Sequence, residues 1–142
     1  MEPFPTVILL ATDGSEEARI ASRMAAGIAE GTDSKLHLVY VAGTGGADPR
    51  VYEQMRQSSR ELLDEQALKM RDAGAKITKK HLRNGRPDQE IVALAEELGA
   101  GLIVMGGRGL GRMKRALMGS VSDSVVRHAH CPVLVARGSL LR

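Results

Sequence analysis

The chain is almost without aromatic side chains: Phe4, Tyr40 and Tyr52 are all it has, and tryptophan is absent. Stacking platforms for single-stranded nucleic acid are therefore nearly missing. The net charge of +3 permits contact with a polyanion without establishing it, and a nucleic-acid partner is not expected. Cysteine is limited to Cys131, so no internal disulfide can form, in keeping with a reducing compartment. No apolar run approaches the ~20 residues needed to cross a bilayer, and residues 1–5 lack the basic and apolar regions of a signal peptide. The expectation is a cytoplasmic chain without membrane contact. Hydrophobic residues at 43% and charged residues at 26% are ordinary globular values and exclude disorder. The 142 residues suffice for one domain, 1–142, with its own core.

What is present alternates in type. Residues 6–12 (TVILLAT) form a continuous β-rich apolar run, the mark of a strand covered on both faces. Asp13-Gly14-Ser15 ends it, and Ser15 is placed to cap a helix with Ala18, Ala21, Ala25, Ile28 and Ala29 as its apolar stripe and Gly31 as its stop. Residues 35–41 (KLHLVYV) read as a second strand. Residues 42–49 (AGTGGADP) form a glycine-rich loop closed by proline, a candidate moving part. A long amphipathic helix is expected over about 51–73, with Met55, Leu62, Leu63, Ala67 and Met70 inside. Residues 75–82 (AKITKKHL) read as a third strand, polar enough for an edge. Pro87 opens the next helix, where its missing N–H costs nothing, and Gly99 closes it. Residues 102–105 and 132–136 supply two further strands. Strands alternating with helices predict a parallel, doubly wound α/β sheet, in which ligands bind beyond the carboxyl ends of the strands.

The most informative stretch is 105–135. The fourth strand breaks at Gly106-Gly107, a glycine- and cation-rich loop follows, and Gly119 stands before Ser120. From Ser120 the pattern turns helical, with Val121, Val125 and Ala129 on one face. Ser120 is a good N-cap, and Asp123 suits the positive end of the helix dipole. Strand, glycine loop and helix start present unpaired backbone N–H groups that invite an anion, above all a phosphate.

The spacing Gly106, two residues, Gly109, nine residues, Gly119-Ser120 resembles the nucleotide-binding pattern of the universal stress protein family, in its ATP-binding branch. The resemblance extends to VILLATDGSEEA at the start, to Val41, to GRPDQEIVALAEELGAGLIVMG and to HAHCPVLVAR at the end. It implies a Rossmann-like sheet of order 3-2-1-4-5, of the adenine nucleotide alpha hydrolase-like type, and a nucleotide-dependent sensor or regulator in stress response. It places Ala11, Thr12 and Asp13 near adenine and ribose, with Val41 against the base. Met105, Gly106 and Gly109 would line ribose and phosphates, with Arg108 nearby, and Gly119, Ser120, Val121 and Ser122 would hold the phosphates. Mg²⁺ or Mn²⁺ would accompany ATP through the phosphates, with Asp13 the one candidate side chain. The family's homodimers imply pairing through the last strand, around Val133, Leu134 and Val135, and a further protein partner is left unnamed.

Other readings compete. The cations between Arg108 and Arg115 are also what a solvated loop looks like, and Asp13 could merely cap a helix. A chaperone-like or RNA- or protein-binding module that needs no nucleotide is the alternative function, and a slow ATPase a third. His128, His130 and Cys131 stand close together but lack the paired clusters of a structural zinc site. Enzyme motifs are missing: there is no Walker A lysine, no G-x-G-x-x-G and no G-x-S-x-G. The aspartate of Thr12-Asp13-Gly14-Ser15 lacks a partner carboxylate, since Ala11 stands two residues upstream. Turnover is expected to be slow or absent.

Overall fold

A computed structural model of the chain describes residues 6–43, 48–107 and 119–138. Its elements are β1 (Val7–Ala11), α1 (Glu16–Thr32), β2 (Lys35–Ala42), α2 (Pro49–Asp72), β3 (Lys79–Asn84), α3 (Pro87–Leu98), β4 (Leu102–Gly106), α4 (Ser120–His128) and β5 (Val133–Ala136). The five strands form one parallel sheet in the order β3-β2-β1-β4-β5. Leu9 of β1 sits in register with His37 on one side and Ile103 on the other. The doubly wound α/β sheet and its strand order are as the sequence implies.

The alternation of side chains along β1 explains the two layers. Ile8 and Leu10 join Ala21, Ala25 and Ala29 of α1 and Leu63, Ala67 and Met70 of α2. Leu9 and Ala11 point the other way, to Ile91, Leu94 and Ala95 of α3 and Val125 of α4. Both faces of β1 are thus dry, which is why its sequence is apolar without interruption. Alanines on α1 let that helix lie close against the sheet.

Several boundaries move from where periodicity puts them. Gly31 does not end α1: the helix runs to Thr32, and Asp33 takes the left-handed conformation (φ 54°) with its N–H bonded to Ala29 and Glu30 carbonyls. Aspartate tolerates that conformation, so the glycine is not needed. The third strand starts at Lys79 rather than 75, because Ala75 and Ile77 fill space beneath the core face on the way from α2. In α2 the inner face is Ser59, Leu63, Ala67 and Met70. Met55 is 45% exposed, one turn before the first buried residue of α2, Ser59. Pro87 and Gly99 do open and close α3, Gly99 at φ 64°.

Candidate functional site

The carboxyl ends of β1 and β4 lie side by side at the point where the strand order reverses. There a crevice of about 290 Å³ opens, lined by Ala11, Thr12, Asp13, Val41, Met105, Gly106, Gly119, Ser120, Val121 and Ser122. These are the residues singled out from sequence, except for Arg108 and Gly109, which lie outside the described residues. So do residues 44–47 of the loop expected to move. Sequence reading missed Ala18, Val39, Pro87, Ile91 and Gly107, which also line the crevice. Ala18 and Ile91 belong to the apolar stripes of α1 and α3, which were read as core alone.

One wall is the turn after β1. The Thr12 N–H donates to the Val39 carbonyl (3.0 Å), extending the β1–β2 ladder by one residue. The Ser15 N–H donates to Asp13 Oδ1 (2.9 Å), and the Ser15 hydroxyl accepts from the Ala18 N–H (3.2 Å). Ser15 is therefore the cap of α1, and Asp13 braces the turn that leads into it. This leaves the Asp13 carboxylate fixed at the crevice rather than used up as a cap.

The opposite wall is the start of α4. Gly119, not Ser120, is the N-cap, and as a glycine it has no side chain to cap the helix. Ser120 is its first helical residue, so the capping role expected of its hydroxyl is not the one it has. The first turn, whose residues Ser120, Val121 and Ser122 line the crevice, therefore has no N-cap side chain on its N–H groups, at the positive end of the helix dipole. Ser122 is 2% exposed, and its hydroxyl donates to the Gly107 carbonyl (2.7 Å), with the Gly119 carbonyl at 3.1 Å. The Gly119 N–H reaches the same Gly107 carbonyl. The end of β4 and the start of α4 are thus hydrogen-bonded directly to each other. Ser122→Ala should cost about 0.5–1.5 kcal/mol, the net worth of one hydrogen bond, since the Gly107 carbonyl keeps the Gly119 N–H. Chemical denaturation would measure the loss.

Glycine serves here by absence of bulk rather than by a left-handed backbone. Among the described residues the positive-φ glycines are Gly14, Gly74, Gly85, Gly99 and Gly138, and none of the three glycines at the crevice is among them. A Cβ on Gly106 would stand 2.9 Å from the Ala18 backbone nitrogen, so only glycine lets β4 end beneath the start of α1. Glu17, 4% exposed, accepts from the Gly138 N–H (2.9 Å), tying α1 to the chain leaving β5.

The α3–α4 side is held by Asp88, which accepts from the Ser124 hydroxyl (2.8 Å) and from Arg86 (3.0 Å). Burial pushes the Asp88 carboxyl up, but hydrogen bonds from Ser124 and the Gln89 N–H, with Arg86 beside it, bring it below the usual carboxylate range. The His–Cys cluster is drawn apart: His128 Nδ1 donates to the Ser124 carbonyl (2.8 Å) and His130 pairs with Glu96 (2.7 Å). Cys131 packs partly buried on the second core layer, where burial pushes its thiol up. Among the described residues no three metal-ligating side chains converge, and no helix is long and apolar enough to cross a membrane.

The chain matches the model of the universal stress protein family over residues 6–137. It is 39% identical over 137 residues to a Staphylococcus aureus (strain USA300) protein named as a universal stress protein, covering 92% of this chain and 82% of that one. Among solved structures it resembles the universal stress protein UspA of Lactobacillus plantarum, with a TM-score of 0.76 at 27% identity over 93% and 97% of the two chains. A universal stress protein in complex with cAMP gives 0.76 at 26% identity, over 94% of this chain and 98% of that one. The universal stress protein of Archaeoglobus fulgidus in complex with dAMP gives 0.74 at 26% identity, over 96% and 100%. The chain belongs to the universal stress protein family.

Proposed function

We propose that this chain binds an adenine nucleotide, ATP with Mg²⁺ or Mn²⁺, in the crevice between β1 and β4, and that occupancy sets a conformation read by a partner. The observation that carries the proposal is the glycine-capped start of α4, which lines the same apolar slot as Asp13. Val39, Val41, Ile91 and Met105 offer the slot to a flat base, while the α4 N–H groups offer dipoles to phosphate. Solved relatives in complex with cAMP and dAMP support the choice of adenine. Ala11, Thr12, Asp13 and Val41 take base and ribose. Met105, Gly106, Arg108, Gly109 and residues Gly119 to Ser122 take ribose and phosphates. The metal ion is held through the phosphates, with Asp13 as the nearest carboxylate.

The reading is one of binding rather than turnover. Asp13 is the only ionisable side chain among the described lining residues, and its Oδ1 is already engaged by Ser15. A nucleophilic water needs a positioned base, and rapid hydrolysis is not expected. We further infer a cytoplasmic homodimer formed through β5, the free edge opposite β3, whose Val133, Leu134 and Val135 are only partly buried.

The test is direct. The purified protein is denatured and the released small molecules are identified by chromatography and mass. About one adenine nucleotide per chain supports the proposal. If the protein emerges empty, Mg-ATP at about 100 times its Kd should stabilise it by about 2.7 kcal/mol, a rise of roughly 5–10 °C in Tm. An empty protein whose Tm ignores Mg-ATP rejects it.

A further inference from the structure

At the edge of the sheet away from β5, two histidines 44 residues apart meet: His37 Nδ1 and His81 Nε2 are 2.9 Å apart. Their ring centroids are 5.2 Å apart and the planes differ by 20°. That separation is little more than the nitrogen contact plus the two ring radii, so the rings meet edge to edge and in line. One nitrogen must donate and the other accept. A second proton would set two N–H donors against each other.

The surroundings oppose protonation. His37 is buried in β2, in register with Leu9 of β1, and His81 is half-buried on β3. The charged groups facing the pair are Lys35 on β2, Lys79 and Arg83 on β3, and Glu97 on α3. Burial pushes both rings below the ordinary histidine range, and the neighbouring lysines add to it. Arg83 also acts against His81, and only Glu97 favours its charged form. Glu97 is itself paired with Arg83. Lys80 is turned to the other face, where Asp64 of α2 holds it (2.7 Å).

We propose that the His37–His81 pair is a proton-operated clasp: joined by one N–H···N bond it holds the edge strand β3 on β2, and double protonation releases β3. Released with it is the turn from Asn84 to Pro87 at the border of the crevice. β3 is the strand able to respond, because it is hydrogen-bonded to a neighbouring strand on one side only. Its ladder is bracketed by the Thr78 N–H on the Leu36 carbonyl (2.8 Å) and the Gly85 N–H on the Ala42 carbonyl (2.9 Å). Once opened, the histidines take up protons near pH 6.5, whereas the clasped pair does so only at lower pH. The open state then binds more protons as pH falls through about 6.5, and the stabilisation fully present above that value is lost below it. With two groups, the opening equilibrium can rise by up to roughly 100-fold per pH unit. Val41, near the end of β2, and Pro87, just after β3, line the crevice. A fall in nucleotide affinity on acidification therefore follows only if the proposed function holds, whereas the clasp itself does not depend on it.

The experiment is native-state hydrogen exchange on the nucleotide-free protein about one pH unit above and below the ordinary histidine pKa. After correction for intrinsic rates, protection of the Thr78 and Gly85 amides should drop at least about 10-fold in acid relative to amides of α1, which carries no histidine. His81→Phe, which removes one titrating group and the N–H···N bond but keeps an aromatic ring, should cut that response to roughly its square root, because His37 alone then titrates on opening. Unchanged protection, or an acid response as large in the variant as in the unaltered protein, overturns the clasp. Should the variant fail to fold, ring titration of the unaltered protein by NMR decides. Proton uptake in two coupled steps, the second below the ordinary histidine range, supports the clasp; two independent titrations near that value overturn it.

Discussion

Gly119→Val is expected to weaken adenine-nucleotide binding at least about 100-fold, about 2.7 kcal/mol, while leaving the nucleotide-free fold almost as stable as before. Gly119 has φ −66° and ψ 158°, an extended conformation that a β-branched residue adopts without strain. Its N–H bond to the Gly107 carbonyl belongs to the backbone and survives the change. What changes is the wall of the crevice: an isopropyl group now stands at the mouth of α4, where phosphate oxygens must approach the first-turn N–H groups. Helix N-termini bind anions through close backbone approach, so bulk there acts on affinity and little else. Titration calorimetry with Mg-ATP measures the loss, and thermal melting without nucleotide checks the fold. Unchanged affinity would remove the phosphates from the start of α4 and leave the crevice without its main anion-binding group.

The parts of this site legible in the sequence are those carried by local patterns. An unbroken apolar run, Asp13-Gly14-Ser15 after it, a second run ending at Gly106-Gly107 and a helical period from residue 120 are each visible within a dozen residues. The α/β alternation then forces the parallel sheet, and the sheet brings Asp13 and Gly106 to one end. Local pattern fails where two residue types can do the same job. Asp33 takes a left-handed cap that Gly31 seemed to claim, and Gly119 takes the N-cap position that Ser120 seemed to claim. The Ser122 hydroxyl shows the same limit, since its bond to Gly107 spans 15 residues and no spacing rule points to it. The His37–His81 contact depends on the β2–β3 register, in which Val39 rather than His37 stands level with His81. A third strand placed four residues early hides it altogether.

Gly106→Ala is expected to destabilise the protein by about 1–3 kcal/mol through overpacking, although the change adds a single methyl group. The new Cβ would meet the Ala18 nitrogen at 2.9 Å, the Glu17 carbonyl carbon at 3.0 Å and the Glu17 Cβ at 3.1 Å. Two of the three are backbone atoms in the first turn of a helix, and that turn cannot rotate out of the way. It is pinned by the Ser15 cap on the Ala18 N–H and by the Glu17 carboxylate on the Gly138 N–H. Relief must come from lifting α1 off the end of β4 or from bending β4. Either distorts the crevice, because Ala18 and Gly106 both line it. The neighbouring glycine supplies the control. A Cβ on Gly107 would meet Arg137 Cγ and Val135 Cγ1 at 3.1 Å and Glu17 Oε1 at 3.3 Å, all of them side-chain rather than backbone atoms and none closer than 3.0 Å. Gly107→Ala should therefore cost less than Gly106→Ala, and urea unfolding of the two variants side by side ranks them. Equal losses would mean that α1 moves freely over β4, and the rigid seat that this close packing gives the turn at Asp13 would have to be abandoned.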